Sequence, residues 1–190
     1  MSLINIYGGS MIYFVRHGQT DCNLNKIIAG QFDAHLNEKG IEQAEQVALD
    51  LQGIKFNACF CSPLARAKET CAAILKHHQN LQPIYDDRLK ARDYGKMQLQ
   101  PSNAITFNRW QVGEFDEETK ALEIEPVMEH YDRVADFFQE ILKKYPHQNI
   151  LVVAHSCVGR VAAAYFNGIP ENQDFSTLKI PNGKYIMFEN

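Results

Sequence analysis

Met11-Ile12-Tyr13-Phe14-Val15-Arg16-His17-Gly18-Gln19-Thr20 is the stretch on which the reading of this chain turns. Apolar residues that favour strands give way abruptly to Arg, His and Gly, which predicts a buried strand stopping at a functional loop. Open α/β sheets place their ligands beyond the ends of such strands. An arginine beside an imidazole, followed by a glycine that allows close backbone approach, suits an anionic substrate. A surface Arg–His pair would read the same over six residues, so the rest of the chain has to decide.

Upstream, Gly8-Gly9-Ser10 precedes Met11, and residues 1–10 read as an extension, a remnant or a short added strand. Downstream, residues 18–37 read as a long polar loop, of the kind that is usually functional inside a compact domain. Ile41, Ala44, Val47, Ala48 and Leu51 then mark one face of a helix ending near Gly53. Phe56 to Cys61 predicts a second buried strand. Ser62-Pro63 follows as N-cap and first-turn proline of a helix carrying Leu64, Ala67, Cys71, Ile74 and Leu75. That puts Arg66 in the first turn, where free backbone N–H groups and the helix dipole favour an anion.

Residues 80–125 are the least regular part, and about 95–125 reads as a lid or insertion. Pro126 opens a helix with Val127, Tyr131, Val134, Phe138, Ile141 and Leu142 on its apolar face. Asn149 to Ala154 predicts a third buried strand, and His155 ends it as His17 ends the first. A helix from about Cys157 to Phe166 closes at Asn167-Gly168, with Pro170 beyond, and residues 182–188 predict a last strand. Strand, loop and helix recurring in this way imply a mostly parallel α/β sheet, with His17, Arg66 and His155 on one sheet edge.

Composition narrows the function. The chain has 190 residues, enough for one domain over 11–190, and a net charge of −4 gives no electrostatic reason to expect nucleic acid or an anionic membrane. No apolar run reaches membrane-spanning length, and no secretory signal is visible. Five cysteines (22, 59, 61, 71 and 157) follow no disulfide framework or zinc spacing, which fits a reducing cytoplasm. An anion site must therefore be a local basic pocket. Two arginines and two histidines at one edge make a phosphate clamp in which a neutral imidazole attacks phosphorus and the second histidine stabilises the transferred group. Phosphoryl transfer needs mainly positioning and charge neutralisation, so such a site works without a metal or cofactor, given a proton donor for a poor leaving group.

Val15-Arg16-His17-Gly18-Gln19-Thr20 resembles the Arg-His-Gly signature of the histidine phosphatase (phosphoglycerate mutase-like) superfamily, and the resemblance runs through the chain from Met11. Asn23, the Gly30, Asp33, Leu36, Gly40, Gln43 and Ala44 pattern, Ser62-Pro63-Leu64 with Arg66-Ala67, and Val153-Ala154-His155 follow in the expected order. The resemblance implies a three-layer α/β/α sandwich. It implies His17 as the phosphorylated nucleophile, Arg16, Arg66 and His155 around the phosphoryl group, a hydrogen bond from Asn23, no metal and no organic cofactor.

One departure is sharp. Where relatives usually carry a proton-donating glutamate, this chain reads Leu89-Lys90-Ala91-Arg92-Asp93-Tyr94-Gly95. Alanine cannot donate a proton, so Asp93 and Glu125 become the candidate donors, each with a solvated surface carboxylate as its competing explanation. Ser156-Cys157 replaces the common Gly-Gly after His155, and Cys157 is not read as a nucleophile. The leading expectation is a phosphatase acting on a small phosphorylated metabolite, impaired or specialised by Ala91. A phosphate-binding relative without catalysis is the alternative, and the short chain argues against a phosphoglycerate mutase. The sequence does not specify an oligomeric state.

Overall fold

Strands form where apolar residues alternate between two buried faces. Met11–Arg16 (β1), Ala58–Cys61 (β2), Pro83–Tyr85 (β3), Asn149–Ala154 (β4) and Tyr185–Glu189 (β5) make one sheet in the order β3-β2-β4-β1-β5. The first four are parallel, and β5 runs antiparallel along β1. The computed structural model describes residues 9–177 and 179–190, so the expectation for the N-terminal extension lies, over residues 1–8, outside the described residues. Ser10 is buried, and its hydroxyl donates to the Tyr145 carbonyl.

Among the described residues six α-helices accompany the sheet: Asp21–Leu24 (α1), Glu38–Leu51 (α2), Ala65–Leu75 (α3), Asp116–Ala121 (α4), Val127–Lys144 (α5) and Ser156–Asn167 (α6). The period-two alternation of the strands divides the core between the two helical layers. Val15, Cys59, Cys61, Leu151 and Val153 pack against Val47, Ala48 and Leu51 of α2 and Ala67 and Ile74 of α3. Ile12, Phe14, Phe60, Ile150 and Val152 face the other way, into Val134, Phe137 and Phe138 of α5 and Val158 and Val161 of α6. The result is an α/β/α sandwich.

Several local expectations need correction. The polar stretch after β1 contains α1, held by a capping box in which Thr20 Oγ1 accepts from Asn23 N and Asn23 Oδ1 accepts from Thr20 N. Ile41 lies 54% exposed while Gly40 is buried, because α2 turns a glycine toward the β1 loop. Ser62 does not cap α3. That helix starts three residues later, and Asp33 Oδ1 accepts its Ala65 N–H across the loop at 2.6 Å. Along α5 the buried face also takes in His130 and Phe137, with Tyr131 and Leu142 only flanking it.

Within 80–125, β3 adds an edge strand whose three residues are too few to show a period. Ile28, Tyr94, Ile105 and Ile124 form a small separate cluster there, with Met97, Phe107 and Leu122 against it, while Leu89 and Trp110 join the main core. Among the described residues no helix is long and apolar enough to cross a membrane, and all five cysteines are free.

The loop after β1 is pressed onto the start of α2. Gly18 N donates to Thr70 Oγ1 at 3.1 Å, and a Cβ on Gly18 would fall 2.2 Å from the Gly40 carbonyl oxygen. Backbone cannot swing away as a side chain can. Gly18→Ala should therefore lower stability by about 1–3 kcal/mol, the usual cost of overpacking. Gly53→Ala, with nothing within 4 Å of its Cβ position, should stay near neutral in the same urea-denaturation series.

Candidate active site

The register of two strands creates the site. Arg16 of β1 pairs with Ala154 of β4, and His17 N donates to the Ala154 carbonyl at 3.0 Å. His17 and His155 consequently leave adjacent strands side by side, their ring centroids 5.1 Å apart. Arg66, in the first turn of α3, reaches them from the next strand. Its Nε donates to His17 Nε2 at 3.3 Å, Nη1 to the Phe32 carbonyl and Nη2 to the Gly30 carbonyl, both at 2.8 Å. The guanidinium is thus clamped in one orientation. Arg16 Nη1 donates to the Ile180 carbonyl at 2.8 Å.

A hydrogen bond also sets the His17 tautomer. His17 Nδ1 lies 2.6 Å from the Gly18 carbonyl, which can only accept, so Nδ1 carries the proton and the Nε2 lone pair faces Arg66. Burial, then Arg66 and Arg16, push the His17 pKa well below the ordinary histidine value, leaving the ring neutral at pH 7. Burial, with Arg66, His17 and Arg16 beside it, does the same for His155. His155 Nε2 sits 2.7 Å from Ser62 Oγ, while its Nδ1 and Arg16 Nε are buried with no protein partner among the described residues. Buried polar atoms are normally satisfied, so these two point to a ligand that accepts from both sides of the cleft. Burial lowers the pKa of Arg16 to about 10, but it remains charged at neutral pH.

Arg16, His17, Asn23, Arg66 and His155 line one cavity of about 490 Å³. Asn23 Oδ1 is occupied by the Thr20 N–H and by Asn182 Nδ2, which leaves its amide N–H groups as the donors for a ligand. The cavity also takes in Lys26, Arg109, Arg160 and Lys179, and no carboxylate among the described residues lines it. The sequence reading missed these four cations. They come from four separate segments without a shared motif, and only folding gathers them. A second cavity is larger, about 800 Å³, but Asp93, Asp116, Glu117, Glu123, Glu125 and Glu129 line it, and that much negative charge would repel a phosphate.

That second cavity is where the two candidate donors go. Ala91 lines the His17 cavity, whereas Asp93 and Glu125 do not. Asp93 is exposed, and its Oδ1 accepts from Gly95 N at 2.9 Å, closing a tight turn that faces outward. Glu125 is gripped by Arg133, with Nε 2.5 Å from Oε1 and Nη2 2.9 Å from Oε2, and Oε2 accepts from Asp93 N. Burial works against its charge, but Arg133 and His130 hold it far below the ordinary carboxylate range. A carboxylate so held has no proton to give. Neither side chain meets the requirement of a donor beside the reacting group.

Comparison with known proteins bears on this geometry. The 2,3-bisphosphoglycerate-dependent phosphoglycerate mutase of Methylorubrum populi is 30% identical over 94% of this chain and 88% of its own. The adenosylcobalamin/alpha-ribazole phosphatase of Escherichia coli is 26% identical over 94% of this chain and 98% of its own. Among solved structures, a phosphoserine phosphatase from Entamoeba histolytica, in complex with 3-phosphoglyceric acid, shares the fold with a TM-score of 0.79. It is 19% identical, over 94% of this chain and 89% of that one. The family model described as the histidine phosphatase superfamily (branch 1) matches residues 12–189. With nearly the whole chain matched and two imidazoles and two arginines meeting at the ends of β1 and β4 and the start of α3, this protein belongs to the histidine phosphatase superfamily.

Proposed function

We propose that the protein is a metal-independent phosphomonoesterase that hydrolyses a small phosphorylated metabolite through a phosphohistidine at His17. The observation that carries this reading is the 2.6 Å contact of His17 Nδ1 with the Gly18 carbonyl, which leaves Nε2 beside Arg66 in a cavity of fixed positive charge. Nε2 attacks phosphorus in line, and Arg16, Arg66, Asn23 and His155 Nδ1 take the equatorial oxygens. Water then cleaves the phosphohistidine and releases inorganic phosphate. The two arginines supply the positive charge that a divalent ion would otherwise bring. Lys26, Arg109, Arg160 and Lys179 favour a substrate with a second anionic group beyond the reacting phosphate. Residues 11–190 act in this reading as one unit, with 95–125 contributing Arg109 to the cavity wall.

The mutase among the relatives supports a second reading, in which the phosphoryl group passes to an acceptor instead of to water. A third reading, a phosphate binder without turnover, stands on the alanine at position 91. One experiment separates the three. Protein exposed briefly to a labelled phosphoryl donor after dialysis against a chelator should carry acid-labile, base-stable phosphate on His17, and His17→Ala should carry none. Inorganic phosphate should then appear whether or not a phosphoglycerate acceptor is present. Acceptor-dependent transfer would favour the mutase, and phosphate binding without any label the binder.

Arg66 is buried and held by three acceptors at the phosphoryl position. Arg66→Ala should weaken phosphate binding by on the order of 2–5 kcal/mol, as for truncating one partner of a buried charge pair. Isothermal titration with inorganic phosphate, beside a melting curve to check folding, reads this directly.

The donor position generates a third test. General acid catalysis contributes about 10²–10⁴-fold and matters least for a good leaving group. Ala91→Glu should therefore change turnover of an alkyl phosphate far more than that of an aryl phosphate, by the full factor only where no other side chain in the cavity donates the proton. Asp93→Asn should leave their ratio unchanged, since the Asp93 carboxyl faces away from the His17 cavity.

A further inference from the structure

With no acid at Ala91 and with Asp93 and Glu125 outside the cavity, the side chains lining it that can give up a proton are Cys22, Tyr94 and Cys157. Of these the Cys157 sulfur is hydrogen-bonded to the backbone next to residue 91. Cys157 lies in the first turn of α6, two residues after His155, and lines the cavity with His17 and Ala91. Its sulfur accepts from Arg92 N at 3.2 Å, which holds it next to residue 91. The thiol interacts with the wholly buried His130 of α5, whose Nδ1 is 3.5 Å from Glu125 Oε2 and whose nitrogens make no well-aligned hydrogen bond. Glu125 is in turn fixed by Arg133. Thiol, imidazole, carboxylate and guanidinium thus form one chain of pairwise interacting groups.

We infer that Cys157, positioned by His130 and the Arg92 backbone N–H, is the general acid–base of this site and stands in for the glutamate that Ala91 replaces. This rests on the phosphohistidine reading. As His17 Nε2 forms its bond to phosphorus, the bond from phosphorus to the leaving alkoxide oxygen breaks, and that oxygen takes the proton from the Cys157 thiol. The thiolate left behind is stabilised by His130, the Arg92 N–H and the first turn of α6. In the second half, water attacks the phosphoryl group and the thiolate takes its proton, which restores the thiol as the bond between phosphorus and His17 Nε2 breaks. No oxidant or further reactant is needed.

The surroundings suit a donor working near neutrality. Burial pushes the Cys157 thiol up, but His130, the Arg92 N–H and Arg133 pull it down further, to about 7 against an ordinary 9.0. The charged and titratable groups facing it are His130 and Arg133 from α5, Arg92 and Tyr94 from the 91–94 turn, and Arg16, Arg66 and Arg160 across the cavity. For His130, burial opposes its charged form, but Cys157 and Glu125 outweigh it and raise its pKa. The imidazole is therefore suited to carry positive charge while the sulfur is negative.

The test compares glycerol phosphate, whose alkoxide needs a proton, with 4-nitrophenyl phosphate, whose leaving group does not. Cys157→Ala should lower kcat on glycerol phosphate by on the order of 10²-fold or more and lower the aryl rate far less. The limb of the wild-type profile on glycerol phosphate that falls above about pH 7 should disappear with it. Cys157→Ser, close in shape but a much weaker acid, should share the defect. Ala91→Glu added to Cys157→Ala should restore alkyl turnover. His130→Gln should keep the falling limb but move it to higher pH.

An unchanged alkyl-to-aryl ratio in Cys157→Ala, with His17 still labelled by a phosphoryl donor, would overturn the assignment and leave the phosphohistidine reading standing. Absence of the His17 label in the unaltered protein would remove both. If Cys157→Ala melts early, the serine variant and the position of the His130→Gln limb decide in its place.

Discussion

The pairing of β1 with β4 is the constraint on which the rest depends. Parallel strands in register, Arg16 opposite Ala154, bring two chain segments to their carboxyl ends at the same level. His17 and His155 are the next residues on each, so the two imidazoles meet without any loop having to be folded for the purpose. A slip of one residue would turn Ile12 and Phe14 from the α5–α6 layer to the α2–α3 layer and reverse the whole core pattern. The hydrophobic division of the core therefore locks the geometry of the polar site. The central strands are buried on both faces, which makes that lock stiff.

Gathering positive charge in a buried cleft works against folding, because desolvating a guanidinium costs several kcal/mol and like charges repel. Backbone carbonyls offset part of this. Arg66 reaches Phe32 and Gly30, Arg16 reaches Ile180, and Arg160 reaches Phe175. The acceptors come from the loop at residues 30–32 and from Phe175 and Ile180, so the same hydrogen bonds that make the cations tolerable hold these segments in place. Arg160 and Arg92 also lie over the Trp110 ring from distances of 4.8 and 4.9 Å, which anchors the 95–125 segment to the cavity wall. Site and loops are stabilised together.

The segment from Arg88 to Gly95 shows how a site position can be held by residues that do not enter it. Arg133 donates to the carbonyls of Arg88, Lys90 and Ala91 while its other nitrogens grip Glu125. Glu125 then receives the Asp93 N–H. One half-buried arginine on a long helix thus determines the path of the turn that carries Ala91, without itself lining the cavity. A carboxylate that appears catalytic by its place along the chain is spent on structure.

What the sequence determined alone was whatever repeats locally. Apolar runs ending abruptly at His17 and His155 announced two central strands, the 3.6-residue period from Val127 to Leu142 announced α5, and Arg16 and Arg66 were legible because each sits at a strand end or helix start, whereas Asn23 was legible only through the family resemblance. The tertiary structure alone decided the direction of individual side chains in irregular backbone. Asp93 and Ala91 are two residues apart, yet a tight turn sends one into solvent and the other into the cavity. Lys26, Arg109, Arg160 and Lys179 share no spacing, so their convergence follows only from packing. Cys157 and His130 stand twenty-seven positions apart on different helices, and only the packing of α5 and α6 on the same face of the sheet brings the imidazole to the thiol. Periodicity encodes which face of an element is buried, but not which of the buried groups will meet.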